Sequence, residues 1–298
     1  MRAGVTISFL VRLLVVNADD FGFDPAINAA VERAHTDGIL TSASLMVTGS
    51  HVEAAVEQAK RHPKLGVGIH LCLVRGRAVS RPEEIRGLAA SDGSLPESLP
   101  LLSAKLAFSR RLEAAVATEL RAQVERFLAT GLQPTHLDTH MHTHIHPRVL
   151  EIVVRLAREY KVPFVRAPVE PLGTALRCGR HNLPRRLARW TIFGTLGRRA
   201  RRRLRQQGVR TADRAVGVLD PGHLTEDFVA AYLEKMPDGL TEIFFHPAMG
   251  TAEELHRCQH GYRHAEELQA LCSPRVRELI DRRGVRLVNF REMAGAAC

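Results

Sequence analysis

The sequence of 298 residues predicts an α/β fold, a (β/α) barrel of the TIM-barrel type with an arginine-rich helical insertion. Short apolar runs alternate with longer amphipathic stretches along the chain, which is typical of parallel strands joined by helices. Seven or so strands are expected, and that number favours a barrel. Because α/β barrels of this length usually form one domain, we expect one barrel over residues 11–292, with the insertion at 172–212.

The individual elements follow from local patterns. Apolar runs that end at polar or turn residues predict strands at 13–16, 42–47, 65–73, 135–139, 164–166, 242–245 and 285–288. The pair Asp24-Pro25 is typical of a helix start and Gly38 of a helix end. Together with apolar spacings of three and four residues, such signals predict helices at 25–37, 51–61, 112–130, 147–160, 227–235 and 264–283. Residues 76–104 are predicted to form a loop or lid.

The composition is that of an ordinary globular protein, with 45% hydrophobic and 25% charged residues. No apolar stretch approaches the ~20 residues that span a bilayer. The run from Val5 to Val16 has no cleavage site before the acidic pair that follows, so we interpret it as a strand with a leader rather than a signal peptide. The five cysteines show no CxxC spacing, which favours a cytoplasmic location over disulfides or a cysteine-based zinc site.

The net charge of +10 comes from one segment. Residues 172–212 contain twelve arginines and no Asp, Glu or Lys, so the rest of the chain carries −2. A basic amphipathic helix with aromatic residues on its apolar face suits an anionic membrane surface. Packing of the segment on its own domain and binding to nucleic acid remain open alternatives at this point. The residues expected to contact a membrane are Leu183, Leu187, Trp190, Phe193, Arg186 and Arg199.

Polar residues follow four of the predicted strands, where parallel sheets collect reactive side chains. Asp19 and Asp20 follow the first strand, His70 lies near the end of the third, and His246 follows the strand at 242–245. Two adjacent carboxylates repel each other, and a divalent cation resolves the conflict by binding one of them. Side chains of adjacent residues on a strand point to opposite faces of the sheet. The Asp19 and Asp20 side chains can therefore reach one site only if the strand ends there.

A histidine-rich run follows the fourth of these strands. On an extended strand its even-numbered members would share one face, which favours a metal site over packing. These members are His136, Asp138, His140, His142, His144 and His146. An aspartate with two imidazoles and a spare carboxylate suits metal-assisted hydrolysis by one divalent ion, zinc first, with Mg²⁺, Mn²⁺, Fe²⁺ or Co²⁺ also admitted. Residues expected behind the ligands or in the substrate pocket are Asp138, His142, His144 and Arg166.

The chain resembles the YdjC-like carbohydrate deacetylases over about residues 13–292. The motifs that carry the resemblance are Val16-Asn-Ala-Asp-Asp-Phe-Gly22, Gly38-Ile-Leu-Thr-Ser42, Gly68-Ile-His-Leu71, Thr135-His-Leu-Asp-Thr-His140 and Phe245-His-Pro-Ala248. The resemblance implies a deformed barrel that removes the N-acetyl group of an amino sugar. It implies that Asp20, His70 and His140 bind the metal, zinc or magnesium. It further implies that Asp19 is the general base and His246 the general acid.

A closer resemblance is to the hopanoid-biosynthesis-associated branch, HpnK. It rests on the basic insertion and on Gly68-Ile-His-Leu-Cys-Leu-Val-Arg-Gly76, Gly131-Leu-Gln-Pro-Thr135 and Val165-Arg-Ala-Pro-Val-Glu-Pro171. This branch implies an N-acetylglucosaminyl hopanoid, here bacteriohopanetetrol, met at the inner face of the membrane, and no nucleic-acid partner. The alternatives are a soluble chitooligosaccharide deacetylase, a metal phosphoesterase, and a non-catalytic protein that binds anionic surfaces. The oligomeric state, a homodimer included, stays open.

Overall fold

A parallel sheet forms the centre of the computed structural model, which describes residues 11–178, 183–250 and 259–295. Within those ranges its seven strands are β1 (Arg12–Phe21), β2 (Ser42–Leu45), β3 (Gly66–Leu71), β4 (Leu137–Thr139), β5 (Arg214–Val216), β6 (Gly239–Phe245) and β7 (Val285–Leu287). Their order is β4-β3-β2-β1-β6-β5, and β7 pairs with β1. The leader predicted before Val11 lies outside the described residues. So do two of the five cysteines, Cys258 and Cys298.

The two edges of this sheet approach each other through the segment 164–169. The Leu137 amide of β4 donates to the Phe164 carbonyl at 2.9 Å, and the Ala215 amide of β5 donates to the Val169 carbonyl at 3.1 Å. The segment therefore partly bridges the gap between the edges, and the sheet curves into a deformed, barrel-like shape. The predicted fold class is confirmed.

Helices surround the sheet. In the described ranges they are α1 (Pro25–Thr36), α2 (Val52–Arg61), α3 (Leu99–Phe108), α4 (Arg110–Ala129), α5 (Pro147–Glu159), α6 (Leu172–Cys178), α7 (Leu183–Gln206), α8 (Glu226–Glu234), α9 (His264–Leu271), α10 (Pro274–Arg282) and α11 (Phe290–Gly295). As predicted, Asp24 caps α1, since its side chain accepts a hydrogen bond from the Ala26 amide and Pro25 takes the first helical position.

Two predicted segments differ from the structure for local reasons. The predicted loop at 76–104 ends early, because Ser98 caps α3. The single helix predicted at 264–283 is two helices, since Ser273 caps α10 and Pro274 has no amide hydrogen with which to continue α9. The strand β5 was not predicted, because its three residues give too little pattern.

The arginine-rich segment forms α7, and α7 packs on the barrel. Its buried and partly buried residues recur every three or four positions, as Arg186, Trp190, Phe193, Gly197, Ala200 and Leu204. Trp190 and Phe193 pack against a buried cluster that includes Leu219 and Phe244. This face of α7 therefore packs on the domain to which the helix belongs, which is one of the alternatives that the sequence left open.

This packing corrects part of the predicted membrane face. Arg186 is only 1% exposed and pairs with Asp220 at 2.8 Å, so it cannot reach a membrane, and Trp190 and Phe193 point inward. Leu183 and Leu187 are exposed, as is Arg199. No helix in the described ranges combines the length and apolarity needed to cross a bilayer.

Candidate active site

The adjacent aspartates reach one site through a bulge in β1. Ala18 pairs with Ala43 and Phe21 with Leu45, so β1 contains one more residue than β2 between these pairs. Asp20 occupies that stretch with a φ of +62°, a left-handed conformation that costs about 1–3 kcal/mol and is concentrated at functional sites. The expectation that the strand ends at the aspartates is wrong. The strand continues, and the bulge redirects the side chains.

Three potential metal ligands meet at this bulge. Asp20 Oδ1 lies 2.9 Å from His140 Nδ1 and 3.1 Å from His70 Nε2, and the three ligand atoms lie within 4.8 Å of one another. Asp20 and His70 are buried, whereas His140 is partly exposed, so the group opens on one side. His70 Nε2 is buried and is in hydrogen-bonding geometry with no described atom. An orphaned imidazole nitrogen beside a carboxylate fits a metal ion.

Asp138 orients the His70 imidazole from behind. Its Oδ1 lies 2.6 Å from His70 Nδ1, while its Oδ2 accepts a hydrogen bond from Ser44 at 2.7 Å. A carboxylate on one ring nitrogen directs the other nitrogen to a metal. Burial alone lowers the pKa of His70, but the Asp138 and Asp20 carboxylates raise it to about 10. The charges that attract a proton to His70 also attract a cation.

Arg166 binds three buried carboxylates at once. Its Nη1 and Nη2 each lie 2.7 Å from an oxygen of Asp19, Nη2 lies 2.8 Å from Asp138, and Nε lies 2.8 Å from Glu242. Burial raises the pKa of Glu242 to about 7. Arg166 brings one positive charge to the carboxylates of Asp19, Asp138 and Glu242, and Asp20 lies close by. One divalent cation would neutralise the excess of negative charge.

His246 lies on the other side of Asp19. Its Nε2 is 3.9 Å from Asp19 Oδ2, and its ring packs edge-on against Tyr262 with 4.9 Å between the ring centres. The His246 amide donates to the Glu267 carboxylate, which fixes the backbone after β6. Burial lowers the pKa of His246 to about 4, so the imidazole is neutral near pH 7. To act as an acid it must first receive a proton.

The rest of the histidine run does not share the face of His140. β4 ends at Thr139, and Met141 and His142 have φ values of +54° and +53°, which breaks the alternation of an extended strand. The His142 ring packs against Phe193, and His144 Nε2 lies 2.8 Å from the Arg166 carbonyl oxygen. His142 therefore packs on α7, and His144 holds the backbone at Arg166. Of the two places expected for these imidazoles, behind the ligands or in the substrate pocket, their contacts fit the first.

His136 also lies behind the site. Its Nε2 is 3.0 Å from the hydroxyl oxygen of Ser44, the residue that donates to Asp138. A Cβ at Gly68 would lie 2.4 Å from the His136 ring, so only glycine leaves room for this imidazole beside β3. His136 therefore holds the partners of the site in place.

Comparisons with known proteins identify the family of this chain. The sequence profile described as YdjC-like protein matches residues 13–282. This chain belongs to the YdjC-like family. It is 34% identical to a carbohydrate deacetylase of Brevibacillus brevis, over 94% of this chain and 99% of the relative. It is 32% identical to one of Geobacillus stearothermophilus, over 94% and 98%.

The fold of this YdjC-like protein is also found in a solved structure. A candidate cellobiose-phosphate cleavage protein from Enterococcus faecalis V583 is similar, with a TM-score of 0.73 and 25% sequence identity. The alignment covers 95% of this chain and 99% of that one. A chitooligosaccharide deacetylase of Salmonella paratyphi B is 36% identical over half of the chain.

A residue outside every predicted motif completes the Asp20 environment of this YdjC-like protein. Gln259 donates from Nε2 to Asp20 Oδ2, the oxygen turned away from the imidazoles, and its own Oε1 is buried without a described partner. A single amide in a loop carries no spacing signal, so the sequence did not indicate it. Gln259 fixes the orientation of the carboxylate whose other oxygen faces His70 and His140.

A cleft of about 1070 Å³ leads to the site. His140, Met141, Gln259 and Tyr262 are among the residues that line it. Arginines on the wall come from two distant parts of the chain and were not predicted as site residues: Arg75, Arg77, Arg185 and Arg189. The arrangement can bind a polar substrate, hold a cation beside it and place the Asp19 carboxylate next to that cation.

Proposed function

We propose that this YdjC-like protein is a metal-dependent deacetylase that hydrolyses the N-acetyl group of an amino sugar. One observation carries the proposal. Asp20, His70 and His140 converge to within 4.8 Å at the end of an open cleft, and Asp19 stands beside them without belonging to that group. The full-length relatives named carbohydrate deacetylase support the same activity.

The residues that would hold the metal are Asp20, His70 and His140. Two imidazole nitrogens and one carboxylate favour zinc, and magnesium or another divalent ion is the alternative. When bound, such a cation lowers the pKa of water and polarises the amide carbonyl. Gln259 and Asp138 would keep the carboxylate and one imidazole in place.

The proton transfers fall to residues that lie outside the ligand group. Asp19 accepts the proton of the attacking water, while Arg166 holds both of its oxygens in a fixed plane. The water oxygen forms a bond to the carbonyl carbon of the acetamide. Asp19 passes the water proton to His246 Nε2, which lies 3.9 Å from its carboxylate, and His246 delivers that proton to the amide nitrogen, because an amine leaves poorly unless it is protonated. The C–N bond then breaks, and acetate and a free amine result.

We propose further that the amino sugar is linked to a lipid, with N-acetylglucosaminyl bacteriohopanetetrol as the candidate, and that the enzyme meets it peripherally at the inner face of the membrane. The helix α7 supports this proposal, because it lines the cleft and also exposes apolar side chains. Leu183 is 44% exposed, Leu187 39% and Ile192 53%. Neighbouring exposed arginines such as Arg199 would meet anionic headgroups.

The activity is tested by what the metal-loaded protein releases from three substrates. We expect acetate from the N-acetylglucosaminyl lipid. Acetate from diacetylchitobiose alone would instead identify a soluble chitooligosaccharide deacetylase, and phosphate from a phosphomonoester would identify a phosphoesterase. Asp19→Asn should bind metal and release no acetate, whereas His140→Ala should lose the metal by elemental analysis. Acetate release by Asp19→Asn at the parent rate would remove Asp19 from the base role.

The membrane contact is tested by sedimentation with anionic vesicles. Because α7 packs on the barrel, point variants are cleaner than deletion of the segment. The double variant Leu183→Ser, Leu187→Ser should sediment less than the parent, and binding of both should fall as salt rises. Phe108→Ser is the matched control, since this side chain is 92% exposed on α3. If Phe108→Ser lost as much vesicle binding as the double variant, a specific role for α7 would be contradicted.

A further inference from the structure

The His246 imidazole is oriented differently from that of His70. Asp138 Oδ1 lies 2.6 Å from His70 Nδ1 and so directs the other ring nitrogen of His70. His246 Nδ1 is also buried, but no described residue offers it a hydrogen-bonding partner. Because β6 ends at Phe245, His246 lies just beyond the strand. The direction of His246 Nε2 therefore depends on how its backbone and its ring are packed.

Two side chains of α9 bind both polar groups of the His246 backbone. Glu267 is buried, and its Oε2 accepts a hydrogen bond from the His246 amide at 2.5 Å, while its Oε1 accepts one from the Leu224 amide at 2.9 Å. His264 Nδ1 donates to the His246 carbonyl oxygen at 2.6 Å. His264 and Glu267 are three residues apart and lie on one face of α9. This face of the helix thus fixes His246 from both sides.

Tyr262, two residues before α9, restrains the ring itself. Its phenol ring packs edge-on against the His246 imidazole, with 4.9 Å between the ring centres. The Tyr262 amide donates to the Gln259 carbonyl oxygen at 3.1 Å, and the Gln259 side chain donates to Asp20. One short segment, residues 259–267, therefore supports both the candidate metal ligand Asp20 and the candidate acid His246.

The position of His246 decides how well it can transfer a proton. Its Nε2 lies 3.9 Å from Asp19 Oδ2, whereas transfer needs about 2.6–3.2 Å or one bridging water. An error of about 1 Å in the placement of a reacting group can cost about 100-fold in rate. Contacts that fix the His246 backbone therefore bear directly on the reaction.

We propose that His264 and Glu267 are positioning residues that hold His246 where it takes the proton from Asp19 and delivers it to the amide nitrogen. Both act through the His246 backbone rather than on the substrate. The C–N bond breaks as that nitrogen receives the proton, so loss of the correct position slows the departure of the amine. The inference rests on the proposed function, because it concerns the proton that the leaving amine needs.

Two kinds of leaving group separate this role from a purely structural one. An amide nitrogen leaves only when it is protonated, but the nitrophenolate of 4-nitrophenyl acetate leaves without a proton. We would measure kcat/KM for this ester and for the acetamide that the parent hydrolyses, the N-acetylglucosaminyl lipid or diacetylchitobiose. The rate of His140→Ala, which should lack the metal, is subtracted to remove ester hydrolysis elsewhere on the protein.

The two positioning residues should affect the amide and spare the ester. We expect His264→Leu and Glu267→Gln each to lower kcat/KM for the acetamide by about tenfold or more, and that for the ester by less than about twofold. His264→Asn places an N–H near the position of Nδ1 and should retain most of the acetamide activity. In a His246→Gln background, which lacks the acid, adding His264→Leu should change the acetamide value by less than about twofold.

Glu170→Gln is the matched control. Glu170 is also a buried glutamate that accepts from two backbone amides, those of Gly217 and Leu219, each at 3.1 Å. It makes no described contact with His246, so any loss in Glu170→Gln should be the same for the ester and for the acetamide. If Glu267→Gln fails to fold, His264→Leu decides, because it leaves only a carbonyl oxygen without its donor.

Equal losses for the acetamide and the ester in folded His264→Leu and Glu267→Gln would overturn the positioning role. A loss confined to the acetamide in Glu170→Gln, or a further tenfold loss in the His246→Gln background, would overturn it as well. A parent that hydrolyses no acetamide would instead refute the proposed function, and the positioning role would fall with it. The two failures are therefore distinguishable by the activity of the parent.

Discussion

Replacing Arg166 by glutamine tests how the candidate active site is held together. The guanidinium makes two contacts of 2.7 Å to Asp19 and one of 2.8 Å each to Asp138 and Glu242, and all of these groups are buried. Without it, the buried carboxylates of Asp19 and Asp138 lose their guanidinium partner. Breaking a buried ion pair in this way costs about 3–5 kcal/mol, a large part of the roughly 5–15 kcal/mol that stabilises a folded domain.

The assay is urea unfolding of the Arg166→Gln variant beside a matched surface variant. Arg121 also binds one carboxylate through two nitrogens, at 2.5 and 2.7 Å from Glu159, but both partners are exposed. Arg121→Gln should therefore cost no more than about 1 kcal/mol. If Arg166→Gln were as stable as Arg121→Gln, the Arg166 guanidinium would not be needed to neutralise the buried carboxylates, and the reasoning would be refuted.

Three other substitutions test separate parts of the molecule. Burial raises the pKa of Glu170 from 4.5 to about 7, so the folded protein retains a proton that the unfolded chain releases, and stability falls as pH rises between these values. The free energy of unfolding of Glu170→Gln should rise relative to that of the parent from pH 5 to pH 8, by at most about 3 kcal/mol. If the free energies of the two proteins changed with pH in parallel, the interpretation would be contradicted. Gln259→Leu should weaken metal binding about tenfold in a competition titration, because Asp20 loses a hydrogen bond, and unchanged affinity would show that the imidazoles alone orient it. Gly222→Ala should lower the melting temperature, since the new Cβ would lie within 2.2 Å of the Tyr262 ring at a φ of +77°, and an unchanged value would mean that the ring moves freely.

Much of the site could be predicted from the sequence, because its ligands follow strands. Asp20, His70 and His140 each lie within one residue of the carboxyl end of β1, β3 or β4, and parallel strands bring their carboxyl ends to one edge. Asp138, expected behind the ligands or in the substrate pocket, lies behind His70. The candidates at the strand ends need only the order of the elements and the direction of the sheet, whereas the choice of the three ligands among them came from the family resemblance.

Other parts depended on backbone geometry that local patterns do not encode. The bulge at Asp20 and the left-handed pair Met141 and His142 are set by neighbouring strands and by packing, so a strict period of two misplaced His142 and His144. Gln259 enters the site from a loop that no periodicity describes.

The chain composition determined that the segment 172–212 is basic and amphipathic, but it could not assign each arginine to a partner. Tertiary structure decided that Arg186 is buried against Asp220 whereas Arg189 faces the cleft. The physical reason is that charge and apolar spacing are properties of the sequence, while burial and pairing depend on groups far away along the chain. Asp220 becomes a partner only when the helix docks on the barrel, and that docking also leaves Arg189 facing the cleft.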